Sequence, residues 1–408
     1  MFKRALIINS ILYTLSEVLS KVIPFISLPV IIKYLDLEEY AEYSLFVQLS
    51  SIIMIMVGFG TYSAVNVNFF KKWYRHEYYY GLCFVISAII SLIVLLLILS
   101  IDNSLWLYAS LAFGLMSFIS QLKLVDYQVR DRIASFLFLQ TGRSFGVFIG
   151  IIVILYCGGR LEELYSYVIC YSLIYSVFLL LLDKSSILSV LYEGFYNNFK
   201  VLKHAISFSF PTMINSISGW VRNGFDRFII LSLYTLNEVG ILSFSFQLAS
   251  VISVLSISIN RALNVYLMRE YKKCPGFSSR GLCIKFSIVV FVILFICSIS
   301  LYFLALFFSN SSLFSEYQDS LKILPYFLLS FVIQGVVGIC TGYLQFFGKN
   351  RNLGYVSLLI GLFYIPVSYI SIYFTGYTSG AYVFLAGWFV QSIYCFYLIF
   401  NCCNEKND

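Results

Sequence analysis

Apolar residues run in twelve long blocks along the 408-residue chain, separated by short polar segments. The blocks fall at about 7–34, 41–69, 81–101, 104–122, 134–157, 163–182, 205–233, 239–267, 284–308, 322–347, 353–374 and 378–401. A helix needs about 20 apolar residues to cross a bilayer, and backbone groups in lipid must be satisfied within the chain. The pattern therefore predicts an all-α polytopic membrane protein with about twelve transmembrane helices. The first block follows Met1-Phe2-Lys3-Arg4, as the apolar core of a signal peptide would. It runs on to about Tyr34, however, and carries Glu17, Lys21, Pro24 and Pro29, so it reads as a retained first span.

Composition agrees with this class. Apolar residues make up 60% of the chain and charged residues only 12%, about half the share of an ordinary soluble domain. The mean hydropathy is +0.87. A soluble enzyme, a nucleic-acid-binding domain and a disordered chain are excluded. The placement of charge sets the orientation. Nineteen of the 27 basic residues fall in the even-numbered loops and the termini. Lys71, Lys72, Arg75, Lys123, Arg130, Lys272 and Lys273 are among them. The odd-numbered loops hold Lys33, Arg160 and Lys322 against ten acids, including Asp36, Glu38, Glu39 and Glu42. The positive-inside rule then places both termini in the cytoplasm. Cysteine and histidine offer little chemistry. The ten cysteines form no Cys-x-x-Cys and read as buried hydrophobes. The only histidines, His76 and His204, lie in basic loops. No metal site or resident cofactor is expected.

Six blocks precede the polar stretch 184–204 and six follow it. That stretch interleaves Ile187, Leu191, Phe195 and Leu202 with Lys184, Lys200 and Lys203, as an amphipathic helix on the cytoplasmic leaflet would. It divides the chain into a bundle over 1–183 and a bundle over 205–408. A shift of 199 residues matches Leu37 with Leu236, Glu39 with Glu238, Ser44 with Ser243, Gln48 with Gln247 and Ser51 with Ser250. Both matched segments are the second helix of their half and run in the same direction. The expected relation is a parallel repeat about an axis along the membrane normal, as in several transporters.

Seven charged residues sit well inside the apolar blocks, away from their ends: Glu17, Lys21, Arg143, Arg222, Asp226, Arg227 and Arg261. Each costs at least about 2.5 kcal/mol to insert, so each needs a partner or a function. Ser10, Thr14, Glu17 and Lys21 share one face of the first helix, and Thr212, Asn215, Gly219, Arg222 and Asp226 share one face of the seventh. Gln48, Ser51, Gln247 and Ser250 add polar positions to the second and eighth. Such stripes predict a shared, water-filled cavity. Glu17 with Lys21 and Arg222 with Asp226 are i,i+4 pairs. They read equally as ion pairs satisfying each other or as groups of a site. Arg143 and Arg261 have no acid within four residues on their own helices, and they read as an anion site. Five bases against two acids suit a phosphate-bearing substrate rather than a cationic drug. Pro24, Pro29 and Pro211 are candidate kinks.

Enzyme signatures are absent. Gly342 to Lys349 imitates a phosphate loop but has five residues between its glycines and no following Ser or Thr. With no nucleotide-binding domain, transport work would come from an ion or substrate gradient. Ser209-Phe210-Pro211, Asp226-Arg227-Phe228-Ile229-Ile230 and Glu238-Val239-Gly240-Ile241, with Gly58-Phe59-Gly60 in the first half, resemble another pattern. It is that of polysaccharide repeat-unit (O-antigen/capsule, Wzx-type) flippases of the multidrug/oligosaccharidyl-lipid/polysaccharide exporter superfamily. The resemblance implies two six-helix bundles around a central cavity and, as cargo, an oligosaccharide on undecaprenyl pyrophosphate. It also implies proton or sodium coupling, and a polymerase and a chain-length regulator as pathway partners. On this reading Lys21, Arg143, Arg222 and Arg261 bind substrate, and Glu17, Asp226 and Arg227 serve gating or ion coupling. The rivals are a drug/ion antiporter of the same superfamily and a membrane polysaccharide polymerase or ligase. The latter would be expected to carry a large outer loop.

The charge pattern makes a topological prediction. A cysteine probe at Ser311 should react with an impermeant reagent from outside the cell, and one at Lys273 only after lysis. The reverse result at either site overturns the orientation.

Overall fold

The computed structural model describes residues 20, 22–23, 25–101, 104–183, 190, 195–273, 277–309 and 317–401. Among the described residues the regular structure is entirely helical. In chain order the helices are α1 (Phe25–Tyr34), α2 (Leu37–Gly58), α3 (Thr61–Lys71), α4 (His76–Ile101), α5 (Leu105–Val129), α6 (Ile133–Tyr156) and α7 (Leu161–Leu182). They continue with α8 (Phe195–Leu233), α9 (Leu236–Lys273), α10 (Phe277–Ser309), α11 (Ser320–Phe346), α12 (Asn350–Thr375) and α13 (Ser379–Asn401). Ten of these, namely α2, α4–α7 and α9–α13, are long and apolar enough to cross a membrane. The polytopic all-α class read from the sequence is the observed one. The first apolar block is described mainly as α1, and Pro24 lies outside the described residues.

Two blocks differ in detail from the expectation. The second is broken into α2 and α3, because Phe59 and Gly60 both adopt left-handed backbone, with φ of 48° and 68°. Glycine at 60 also permits close approach. A Cβ there would stand 3.0 Å from the Ser209 carbonyl oxygen and 3.1 Å from the Met213 nitrogen. The seventh block begins early, at Phe195, so the later part of the expected linker is the opening of α8. Residues 184–189 and 191–194 of that linker lie outside the described residues. The phosphate-loop imitation is a helix end. Gly348, at φ 78°, turns the chain so that the Lys349 N–H reaches the Leu344 carbonyl at 2.9 Å.

Several acids of the odd-numbered loops are helix caps. Glu39 accepts from the Asp36 N–H at 3.2 Å while Asp36 accepts from the Glu39 N–H at 2.8 Å, a reciprocal box at the start of α2. The Glu238 carboxylate takes the Thr235 N–H at 3.1 Å at the start of α9. Glu163 takes the Arg160 N–H at the start of α7. The two caps sit at matched positions: Asp36 and Glu39 lie 199 residues before Thr235 and Glu238. The next matched pair repeats as well, with Ser51 donating to the Gln48 carbonyl at 2.8 Å and Ser250 to the Gln247 carbonyl at 2.7 Å.

The chain forms two compact units, Met1–Tyr34 with Tyr43–Trp220, and Leu35–Glu42 with Val221–Asp408. The boundary falls inside α8 at Trp220–Val221, beyond the linker stretch. In the first unit Tyr167, Tyr171 and Tyr175 stack along α7 with centroids 5.8 and 5.7 Å apart. Their hydroxyls donate to the carbonyls of Gly146, Gly142 and Leu139 on α6, at 2.7, 3.4 and 3.2 Å. In the second unit Gly335 and Gly338 on α11 receive α9 at close range, and Asn260 donates to the Gly335 carbonyl at 3.0 Å. Helices in lipid gain little from the hydrophobic effect against one another. Small residues and interhelical hydrogen bonds take over that role. Large apolar side chains are correspondingly exposed, among them Ile288, Phe303, Phe307, Leu362 and Phe374.

A Cβ at Gly338 would lie 2.0 Å from Asn260 Nδ2, whereas one at Gly219 meets nothing within 4 Å. Gly338→Ala should therefore displace the Asn260 amide from the Gly335 carbonyl and cost about 1–3 kcal/mol. Gly219→Ala should be near neutral. Reversible unfolding in detergent checks this, and equal effects would remove the argument.

Candidate functional site

Three of the charged residues singled out from the sequence, Arg222, Asp226 and Arg227, meet in the core of the second unit. All three are buried, at 4–7% exposure. Helix α8 carries them, and α9, α12 and α13 supply their partners. Asp226 accepts from the Tyr364 hydroxyl at 2.5 Å and from the Ser368 hydroxyl, both on α12. Arg227 donates from Nε to Ser243 at 2.9 Å and from a terminal nitrogen to the Asn223 carbonyl at 2.9 Å. Its guanidinium lies 4.7 Å from the Phe246 ring centre. Arg222 donates to the Gln391 amide oxygen and to Ser357 at 3.5 Å, and its guanidinium lies 4.7 Å from the Trp388 ring centre.

Arg222 and Asp226 are not ion-paired, and each finds neutral partners on other helices. No described acid lies within ion-pair distance of Arg222. The guanidinium is a buried cation held by an amide oxygen, a hydroxyl and an aromatic face.

The other candidates are dispersed. Arg143 sits on α6 in the first unit, 3.5 Å from the Ser117 carbonyl and beside the hydroxyls of Tyr171 and Tyr175. Arg261 lies on an exposed face of α9. Glu17 and Lys21, with Ser10 and Thr14, lie outside the described residues.

Sequence reasoning missed Ser357, Tyr364 and Ser368 on α12 and Trp388 and Gln391 on α13. Spacings of seven, four and three place them on common helix faces. Serine and tyrosine in an apolar helix, though, give no charge to draw attention. It also misplaced a second cluster. Lys123, counted among loop charges, is buried inside α5, and its ammonium pairs with Asp183 and lies 4.0 Å from Asp126. Asp126 further accepts from Arg130 Nε at 2.7 Å and meets His76 Nε2 at 2.9 Å. Tyr80 donates to Asp183 at 2.8 Å. This network ties α4, α5 and the end of α7 together. Its two acids balance Lys123 and Arg130, as in a structural clamp. His204 likewise belongs to packing, edge-on to Trp73 and Tyr74 at 4.9 and 5.3 Å.

Solved structures share the fold. An inward-facing multidrug resistance transporter of the MATE family and MOP superfamily aligns at TM-score 0.62 and 13% identity, over 97% of this chain and 95% of that one. An outward-facing conformation of such a transporter aligns at 0.62 and 12%, over 97% and 96%. The MATE multidrug transporter DinF-BH aligns at 0.64 and 14%, over 98% and 94%. At these identities the likeness is one of fold. The chain belongs to the polysaccharide biosynthesis protein family, whose profile matches residues 6–269. Protein 1 of the Lsg locus of Haemophilus influenzae is 22% identical over 382 residues, covering 90% of this chain and 91% of that protein. The family agrees with the polysaccharide side of the resemblance, and the fold is one shared with transporters of that superfamily.

The separate partners make a sharp prediction for Arg222→Asp combined with Asp226→Arg. An i,i+4 ion pair would survive this exchange and protein level would recover. Here the exchange sets a carboxylate against the Gln391 oxygen and a guanidinium against donors. The double variant should therefore accumulate no better than either single one, as read by membrane immunoblot. Recovery to the wild-type level would restore the ion-pair reading.

Proposed function

We propose that this protein flips undecaprenyl-pyrophosphate-linked oligosaccharide repeat units across the bacterial cytoplasmic membrane, from inner to outer leaflet, for O-antigen or capsule assembly. Transport proceeds by alternating access and includes no enzymatic step. The observation that carries this reading is Arg222, a guanidinium in an apolar core with no carboxylate to neutralise it. An anionic cargo repays the cost of burying that charge, and a cationic drug does not. The family supports a polysaccharide-related cargo. In this scheme Lys21, Arg143, Arg222 and Arg261 receive the pyrophosphate or an acidic sugar, while the polyprenyl chain stays in lipid. Glu17, Asp226 and Arg227 serve gating or coupling to protons or sodium. Both termini face the cytoplasm, and a polymerase and a chain-length regulator act on the exported unit.

Replacing Arg143 or Arg261 with Ala should abolish surface polysaccharide while leaving the protein in the membrane. Lys at either site should rescue only in part, because it lacks the two-pronged guanidinium. Wild-type export from both Ala variants would remove these residues from the site.

A further inference from the structure

Polar groups buried in a membrane protein core are satisfied within the protein, so an orphaned donor points to a missing acceptor. Two such donors belong to neighbouring side chains in the second unit. Arg222 Nε and Trp388 Nε1 are both buried without a hydrogen-bond partner. They belong to stacked groups, with the guanidinium carbon 4.7 Å from the indole centre. Both side chains are 93% buried, and Ser357 and Gln391 beside them are nearly as enclosed. Arg222 donates to these two neutral neighbours with its terminal nitrogens and leaves Nε unused. The only carboxylate on the same helix face within a turn, Asp226, is engaged by Tyr364 and Ser368.

The site therefore has a surplus of two N–H donors and one positive charge. A water molecule would accept one or both hydrogen bonds but leave the charge uncompensated, and an unpaired ion in an apolar interior costs several kcal/mol. A small anion satisfies the donors and the charge together. We infer that Arg222 and Trp388, with Ser357 and Gln391, form a binding site for one small anion, a halide or a single phosphate-type oxygen, in the core of the second unit. The inference rests on the flippase reading only for the natural source of the anion. That source is either a free inorganic ion or the phosphate of the lipid-linked cargo.

Tryptophan fluorescence offers a direct test, because iodide quenches an indole that it contacts. The purified protein, free of lipid-linked saccharide, is titrated with sodium iodide at constant ionic strength against sodium gluconate. Wild-type protein should show a saturable quenching component above the linear collisional one. Trp388→Phe should abolish it, with Trp73, Trp106 and Trp220 left as internal reference. Arg222→Gln should weaken it about tenfold or more, the cost of one charge-assisted hydrogen bond. Arg222→Lys, which keeps the charge, should retain part of it and covers the case in which the Gln variant does not fold. Competition then separates the sources. Displacement by chloride marks a resident free halide. Displacement by phosphate or pyrophosphate but not chloride marks a reader of the lipid carrier. Purely linear quenching in the wild type, or a saturable component that survives Trp388→Phe, overturns the site. Either result is independent of export, so a failure here and a failure of the flippase reading are told apart.

Discussion

Hydrocarbon offers no hydrogen bonds, and that absence governs this structure. A polar group placed between the ends of a helix must find its partner within the protein, on its own helix or on a neighbouring one. Asp226 finds Tyr364 and Ser368, Arg227 finds Ser243 and a carbonyl, and Asn260 finds the Gly335 carbonyl. The tyrosines of α7 reach the α6 carbonyls beside Gly142 and Gly146. Polar contacts thus help set which helices pack and in what register, while large apolar side chains both fill the core, as Phe327 and Phe384 do, and face outward, as Phe303 and Phe374 do. Glycine matters for the same reason, since these bonds form only where backbones come close.

The same constraint explains why charge clusters with similar composition differ in meaning. Lys123, Arg130, Asp126 and Asp183 cancel one another and are pinned by Tyr80 and His76. Such a cluster holds three helices and is balanced in charge. Around Arg222 the compensation is incomplete, with neutral acceptors on two nitrogens and two donors unused. An incomplete set in a low-dielectric core is a standing demand for an anion. That difference separates a clamp from a site more clearly than charge count does.

The internal repeat has a modest and instructive content. Its matched glutamates are helix caps, not cavity groups. Glu39 and Glu238 close the first turns of equivalent helices, and Ser51 and Ser250 make equivalent local bonds. What the matched positions share is the start of a helix. The acids that support the orientation argument therefore have a second role, satisfying N–H groups that would otherwise lack an acceptor at the helix start.

The sequence by itself determined the class, the number of apolar blocks and the residues whose burial needs explaining. Apolar length and charge alternation are properties of consecutive residues and can be read without coordinates. It pointed to Arg222, Asp226 and Arg227 because charge in an apolar run is conspicuous. Only the tertiary structure decided their partners. The i,i+4 spacing of Arg222 and Asp226 suggested a pair, yet Gln391 and Tyr364, 169 and 138 residues away, took them instead. It likewise moved Lys123 from a loop into a buried clamp with Asp183. Helical spacing fixes which side chains share a face. Which residue faces them across the interhelical gap depends on how distant helices pack, and no local pattern encodes that.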